Sequence, residues 1–263
     1  SSEEKLLHLQ ALIEQDNQSL VCEFFSHQAD TEIALLLESF PPNNREKIWQ
    51  CVPEEIKGEV LAELNEDVRS SLMSQMESAE VSELTKDLDA QDIAEILDTV
   101  HDSVKEEVIG NLDDNTREHV QTLHAYEDDA VGRYMDPETV NIKENVTLET
   151  VQRFVRINHL LDEQTQEMMV TDKNNRLVGS LSLVDLVKQN QEALVSEFMH
   201  QSVTLLDEMN IHDAAAILRS KGLHFAPVVN ECHLLVGQLN IEDIMEITRE
   251  DSDNTLMSMS GVS

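Results

Sequence analysis

LVGSLSLVDL at 177–186 and LVGQLNIEDI at 235–244 are one pattern written twice. In each, Leu-Val-Gly-x-Leu alternates as a strand does. The Ser or Asn that follows suits a helix start, and an Asp three residues later suits the positive helix end. Gly179 and Gly237 permit a tight or closely approached backbone where the strand begins. Working outward, MMV at 168–170 and PVV at 227–229 read as short buried strands before a polar turn. Capped helices are expected ahead of them, over 146–156 and 210–221. Further back, VGRYM at 131–135 answers VSEFM at 195–199, 64 residues on, while the glycines lie 58 apart. The difference falls in the loop and strand between, where insertion costs little. Two copies of a β-α-β-β-α unit imply paired α/β domains rather than a solenoid.

That order, with GSLSLVDL and GQLNIEDI as its signature, resembles the CBS domain. The resemblance implies CBS domains at 130–193 and 194–250, packed as a tandem pair. It also implies that such modules associate into a homodimer.

Composition narrows the function. The 263 residues carry a net charge of −35, from 18 basic and 53 acidic residues. Residues 1–129 hold 32 acids against 8 bases. Both halves repel polyanions, so nucleic acid and anionic membrane surfaces are poor partners and cations are natural ones. Cys22, Cys51 and Cys232 are scattered with no CxxC, which fits a reducing compartment and speaks against zinc. No apolar run reaches the roughly 18–20 residues that span a bilayer, so the chain is expected to be soluble. There is no Walker A, GxSxG or HExxH motif, and no enzyme activity is expected.

Residues 3–125 read as almost wholly helical, with Gly only at 58 and 110 and Pro only at 41, 42 and 53. Apolar residues recur at helical spacing in short units, such as AQDIAEILDTV and DSVKEEVIGNL. The expectation is an acidic superhelical array of helical hairpins over 1–129. Trp49 is expected to be a core anchor.

YEDDAVGRYM at 126–135 joins the two parts. It resembles the junction in MgtE-type magnesium transporters, where an acidic superhelical N domain precedes a CBS pair, a connecting helix and a membrane pore. The order and lengths agree over essentially the whole chain. The resemblance implies a fold of an α-helical superhelical N-terminal domain followed by an α/β tandem CBS pair. Residues 251–263 would open the connecting helix. The chain would lie at the cytoplasmic face of the bacterial inner membrane, with its own transmembrane pore domain as partner.

Two acidic stripes are the candidate ligand faces. Asp92, Glu95 and Asp98 share one helix face, and Glu242, Glu246 and Glu250 recur every four residues on another. Carboxylates roughly 5 Å apart repel by about 3 kcal/mol at an effective dielectric of 20. Mg²⁺ would reverse that sign, since it takes oxygen ligands and often needs only one or two carboxylates. The family resemblance selects Glu59, Glu95, Asp243 and Glu246. The sequence departs from the family at Gln91 and Gly222, where acids are usual. Glu242, Glu250, Asp251 and Asp253 could substitute.

Asp185 and Ser182 carry a second expectation. In nucleotide-binding CBS pairs the Asp of this motif holds ribose and the preceding Ser contacts phosphate, so ATP or another adenine nucleotide is a candidate ligand. Helix capping accounts for the same residues. The reading reached from sequence is a Mg²⁺-sensing regulatory region that gates a dimeric Mg²⁺ channel. The alternatives are a nucleotide-responsive CBS module and an acidic helical scaffold.

Overall fold

The structure, a computed structural model, describes residues 2–159, 161, 165–245 and 247. The chain divides into two compact units, 1–120 and 121–263.

The first unit is helical. It runs α1 (Ser2–Glu14), α2 (Gln18–Phe25), α3 (Asp30–Ser39), α4 (Pro42–Trp49) and, after a 3₁₀ turn, α5 (Lys57–Glu63). Then follow α6 (Glu66–Met73), α7 (Ser78–Thr85), α8 (Ala90–Leu97), α9 (Asp102–Asn111) and α10 (Asp114–His124). Asn17, Asn65 and Asp89 cap α2, α6 and α8 by accepting a backbone N–H with the side chain. Pro41 precedes α4, and Pro42 opens it, where a missing N–H costs nothing. Trp49 is buried, as expected, with the Lys57 ammonium 5.5 Å from its ring centre.

This unit contains an internal duplication. Val21, Ile33, Ala34, Leu37, Ile48 and Val52 are buried, and so are Val81, Ile93, Ala94, Leu97, Val108 and Leu112, each sixty residues on. The bonds recur as well. Arg45 Nε donates to the Leu37 carbonyl at the end of α3, at 2.9 Å. Its equivalent Lys105 reaches Asp98 at the end of α8, at 3.8 Å. Cations at helix C-termini are favourable in both copies. Lys57 pairs with Glu54, and Arg117 pairs with Asp114. A disulfide joins Cys22 to Cys51, and at the equivalent positions Asn111 Nδ2 donates to Ser82 Oγ at 3.3 Å. The disulfide corrects the reading of these cysteines as scattered: 29 residues apart in sequence, they face each other across the turn of one repeat.

The second unit carries the expected α/β pair. Its first half contains α11 (Val131–Tyr134), β1 (Asn141–Lys143), α12 (Leu148–Ile157), β2 (Glu167–Thr171), β3 (Leu177–Ser182) and α13 (Leu183–Lys188). Its second contains β4 (Leu205–Leu206), α14 (Ile211–Lys221), β5 (Phe225–Val229), β6 (Leu235–Asn240) and a 3₁₀ turn at Ile241–Ile244. Each half forms a three-stranded sheet, with its first two strands parallel and its last two antiparallel. The two α-helices begin within two residues of expectation, at Leu148 after Thr147 and at Ile211 after Asn210.

The halves interlock. Asp136 pairs with Gln238 on β6, and His200 pairs with Ser180 on β3. The two glycines make room for these segments. A Cβ on Gly179 would lie 2.6 Å from the His200 carbonyl oxygen, and one on Gly237 would lie 2.8 Å from that of Asp136. Met169, Leu177, Val229 and Leu235 form a small core shared by the two halves. A larger core of Ile142, Leu148, Val151, Met168, Val170, Leu181, Leu186 and Val195 fills the first half.

Candidate functional site

In the first unit the acidic stripe lies on α8. The helix buries Ile93, Ala94, Ile96 and Leu97, which turns Glu95 outward. The stripe has cations beside it. Arg69 Nη2 on α6 lies 2.8 Å from Glu95 Oε1, and Lys105 on α9 reaches Asp98. Asp92 occupies the first turn of α8, where its charge favours the helix dipole. Glu59 is exposed in the first turn of α5.

In the second unit Asp243 and Glu242 line a cleft of about 310 Å³. Asp136, Glu138 and Glu167 line it too, with Gln238, Asn240 and His224, over an apolar floor that includes Met168, Met169 and Phe225. Five carboxylates around one opening attract cations and repel phosphates. Asp243 Oδ2 accepts from Asn240 Nδ2 at 3.1 Å. Asn240 Oδ1 accepts from Gln238 Nε2 at 2.7 Å and does not cap the following turn, contrary to the expectation from sequence. Glu246 and Glu250 lie outside the described residues, as do Asp251 and Asp253.

Asp136, Glu138 and Glu167 were not candidates from sequence. A signal existed: the match of Met135 to Met199 makes Asp136 the counterpart of His200, and both pair with the opposite half.

Asp185 and Ser182 do not line this cleft, although Ser182 stands opposite its Glu167 in the β2–β3 register. Ser182 caps α13, its Oγ accepting from Val184 N at 3.3 Å, as expected. Asp185 accepts from Gln189 Nε2 at 3.3 Å. Ser182 Oγ retains its proton for donation to a phosphate oxygen. His200 pairs with the neighbouring Ser180, where the other half has the acid Asp136. His200 Nε2 in turn lies 3.2 Å from Glu167 Oε1. Oxygen-rich faces suit a hard cation such as Mg²⁺. Among the described residues, no three His, Cys, Asp or Glu side chains are placed to hold a metal ion within the chain.

The junction is built from its own motif. Tyr126 donates to Asp207 Oδ2 at 3.0 Å, and Asp207 is buried. Gly132 N donates to the Asp207 carbonyl at 2.8 Å. Asp129 receives two bonds from the start of α14: Ile211 N to its carbonyl and Asn210 Nδ2 to its carboxylate. Burial first, then the bond to Asp207, pushes the Tyr126 hydroxyl well above its ordinary value of 10.0.

The family model for the MgtE intracellular N domain matches residues 28–129, and that for the CBS domain matches 195–250. The chain carries an MgtE intracellular N domain joined to a CBS pair. The magnesium transporter MgtE of Thermus thermophilus is 29% identical over 147 residues, 56% of this chain and 33% of that protein. That of Enterococcus faecalis is 25% identical over 146 residues, 54% of this chain and 32% of that protein. The chain thus matches about a third of the length of these curated relatives. The crystal structure of the cytosolic domain of the Mg²⁺ channel MgtE in complex with ATP matches with a TM-score of 0.75 at 25% identity, covering 92% of this chain and 99% of that one. The soluble part of a magnesium transporter matches in fold, with a TM-score of 0.70 at 18% identity over 95% of this chain and 99% of that one. Among the described residues, no helix of the MgtE-like chain is long and apolar enough to cross a membrane.

Proposed function

We propose that this chain is the Mg²⁺-sensing cytosolic region of a dimeric MgtE-type magnesium channel or transporter. The N domain would occupy 1–129, the CBS domains 130–193 and 194–250, and the start of a connecting helix 251–263. Its partner would be its own pore domain. The observation that carries the reading is the likeness of nearly the whole chain to the cytosolic domain of the Mg²⁺ channel MgtE.

Mg²⁺ supplies a bridging charge. Acids on the N domain, with Glu59, Asp92 and Glu95 as ligands, would meet acids at the end of the second CBS domain, with Asp243, Glu246 and Glu250 as ligands. At low Mg²⁺ their repulsion separates the faces; at high Mg²⁺ the ion joins them and holds the connecting helices so that the pore is shut. Moving such an equilibrium from 1:99 to 99:1 takes about 5.5 kcal/mol, within reach of a few weak sites acting together.

The homodimer forms through the CBS pairs. Ile157 on α12 and Val184 and Val187 on α13 are 73%, 55% and 81% exposed, and the two helices are joined by a bond from Gln152 to the Leu186 carbonyl. An adenine nucleotide binds at Ser182 and Asp185, a reading favoured by the ATP complex of the related cytosolic domain.

The test is small-angle scattering and thermal melting of the chain during a Mg²⁺ titration. Millimolar Mg²⁺ should compact the chain and raise its melting temperature, as binding to the folded state alone requires. NaCl of equal ionic strength should do much less. Equal effects of Na⁺ and Mg²⁺ would mean screening and would remove the site claim.

A further inference from the structure

Arg69 stands out within the N domain. It is 2% exposed. Its Nη2 bonds the Leu64 carbonyl at 3.0 Å and Glu95 Oε1 at 2.8 Å. Its Nε and Nη1 are the buried side-chain donors without an acceptor among the described residues.

The internal duplication shows what the fold itself needs at this place. Sixty residues earlier stands Leu9, fully buried, and the counterpart of Glu95 is Leu35, an exposed leucine. One copy thus uses two leucines where the other uses a guanidinium and a carboxylate. A buried cation with unsatisfied donors destabilises relative to a well-packed apolar residue. Arg69 therefore answers to something other than packing.

We propose that Arg69 is a built-in counter-ion that Mg²⁺ must displace from Glu95, so that it sets how much Mg²⁺ the N domain needs before it responds. This deepens the proposed function and rests on Glu95 taking part in the Mg²⁺ response. Mg²⁺ seats about 2.1 Å from a carboxylate oxygen. An ion that close to Glu95 meets the repulsion of a guanidinium already in contact with the same group. If Glu95 swings away instead, Arg69 is left buried with the Leu64 carbonyl alone. Either route subtracts from the binding free energy. Glu95 remains 58% exposed, so the pair is weak enough for a millimolar ion to break.

The test is the Mg²⁺ midpoint of compaction in the full chain, read by scattering, with melting as the check on folding. Arg69→Leu installs the residue that the other repeat uses, so it should melt cooperatively. Its Mg²⁺ midpoint should fall by about two- to fivefold, the range for an exposed ion pair. Arg69→Met should do the same, which keeps the test open if the leucine variant misfolds. Arg69→Lys keeps the charge and should stay near the parent. Added to Glu95→Leu, Arg69→Leu should cause no further shift.

An unchanged midpoint in Arg69→Leu and Arg69→Met, with a shifted one in Glu95→Gln, would reduce Arg69 to a packing residue and leave the Mg²⁺ reading intact. If Glu95→Gln also leaves the response unchanged, Glu95 is no part of it, and both ideas fall together.

Discussion

Alanine at Gly132 should disrupt the packing of the junction motif. A Cβ there would lie 2.5 Å from Tyr126 ring carbons Cγ and Cδ1. Ordinary contact needs roughly 1 Å more, so the ring must move. It cannot move without loss, because its hydroxyl bonds Asp207 at 3.0 Å. Overpacking of this kind costs about 1–3 kcal/mol. A lost hydrogen bond to a charged group adds about 1.5–3 kcal/mol, and the stiffer unfolded chain of alanine returns less than about 1 kcal/mol. The net is roughly 3 kcal/mol. At about 2–4 °C per kcal/mol, the transition of the CBS-containing unit should fall by roughly 6–12 °C. Differential scanning calorimetry of the full chain measures it. Tyr126→Ala makes the space that the methyl group needs, so the double variant should lose little beyond Tyr126→Ala alone. A Gly132→Ala chain that melts with the parent, or two losses that simply add, would refute the argument.

Tyr126 also fixes a pH dependence. Its folded-state pKa is raised above the ordinary 10.0, so its contribution to stability is complete below pH 10 and is lost as the pH climbs beyond that. Tyr126→Phe should flatten the alkaline limb of the stability profile, as seen in urea unfolding across pH 8–11. A charge placed on the exposed CBS helices tests the dimer: Val187→Glu should shift the mass seen by light scattering toward a monomer while leaving the melting transition cooperative. An unchanged mass would move the interface elsewhere.

The α/β half was legible because its repeat is carried by residues that geometry dictates. Gly179 and Gly237 recur since each is crossed by the backbone of the other half, and Val and Leu recur since strands bury them. The helical repeat was not legible in the same way. Its copies share core residues such as Ile33 and Ile93, but elsewhere the residue types diverge: Phe25 answers Thr85 and Cys51 answers Asn111. The stripe on α8 was visible from spacing within one helix. Its cation was not, because Arg69 arrives from another helix 26 residues away. Asn240 looked like a cap, but its amide is spent on Gln238 and Asp243. Local rules found the elements, and the bonds between elements set what their side chains do.

The disulfide and its counterpart have a redox consequence. In the first repeat a covalent bond clamps α2 to the turn after α4, whereas in the second, hydrogen bonds from Asn111 to Ser82 and from Ser78 to Glu107 hold the equivalent elements. A reductant therefore reaches only the first clamp. In a reducing compartment both repeats would be held by noncovalent contacts alone, and the covalent difference between them would disappear.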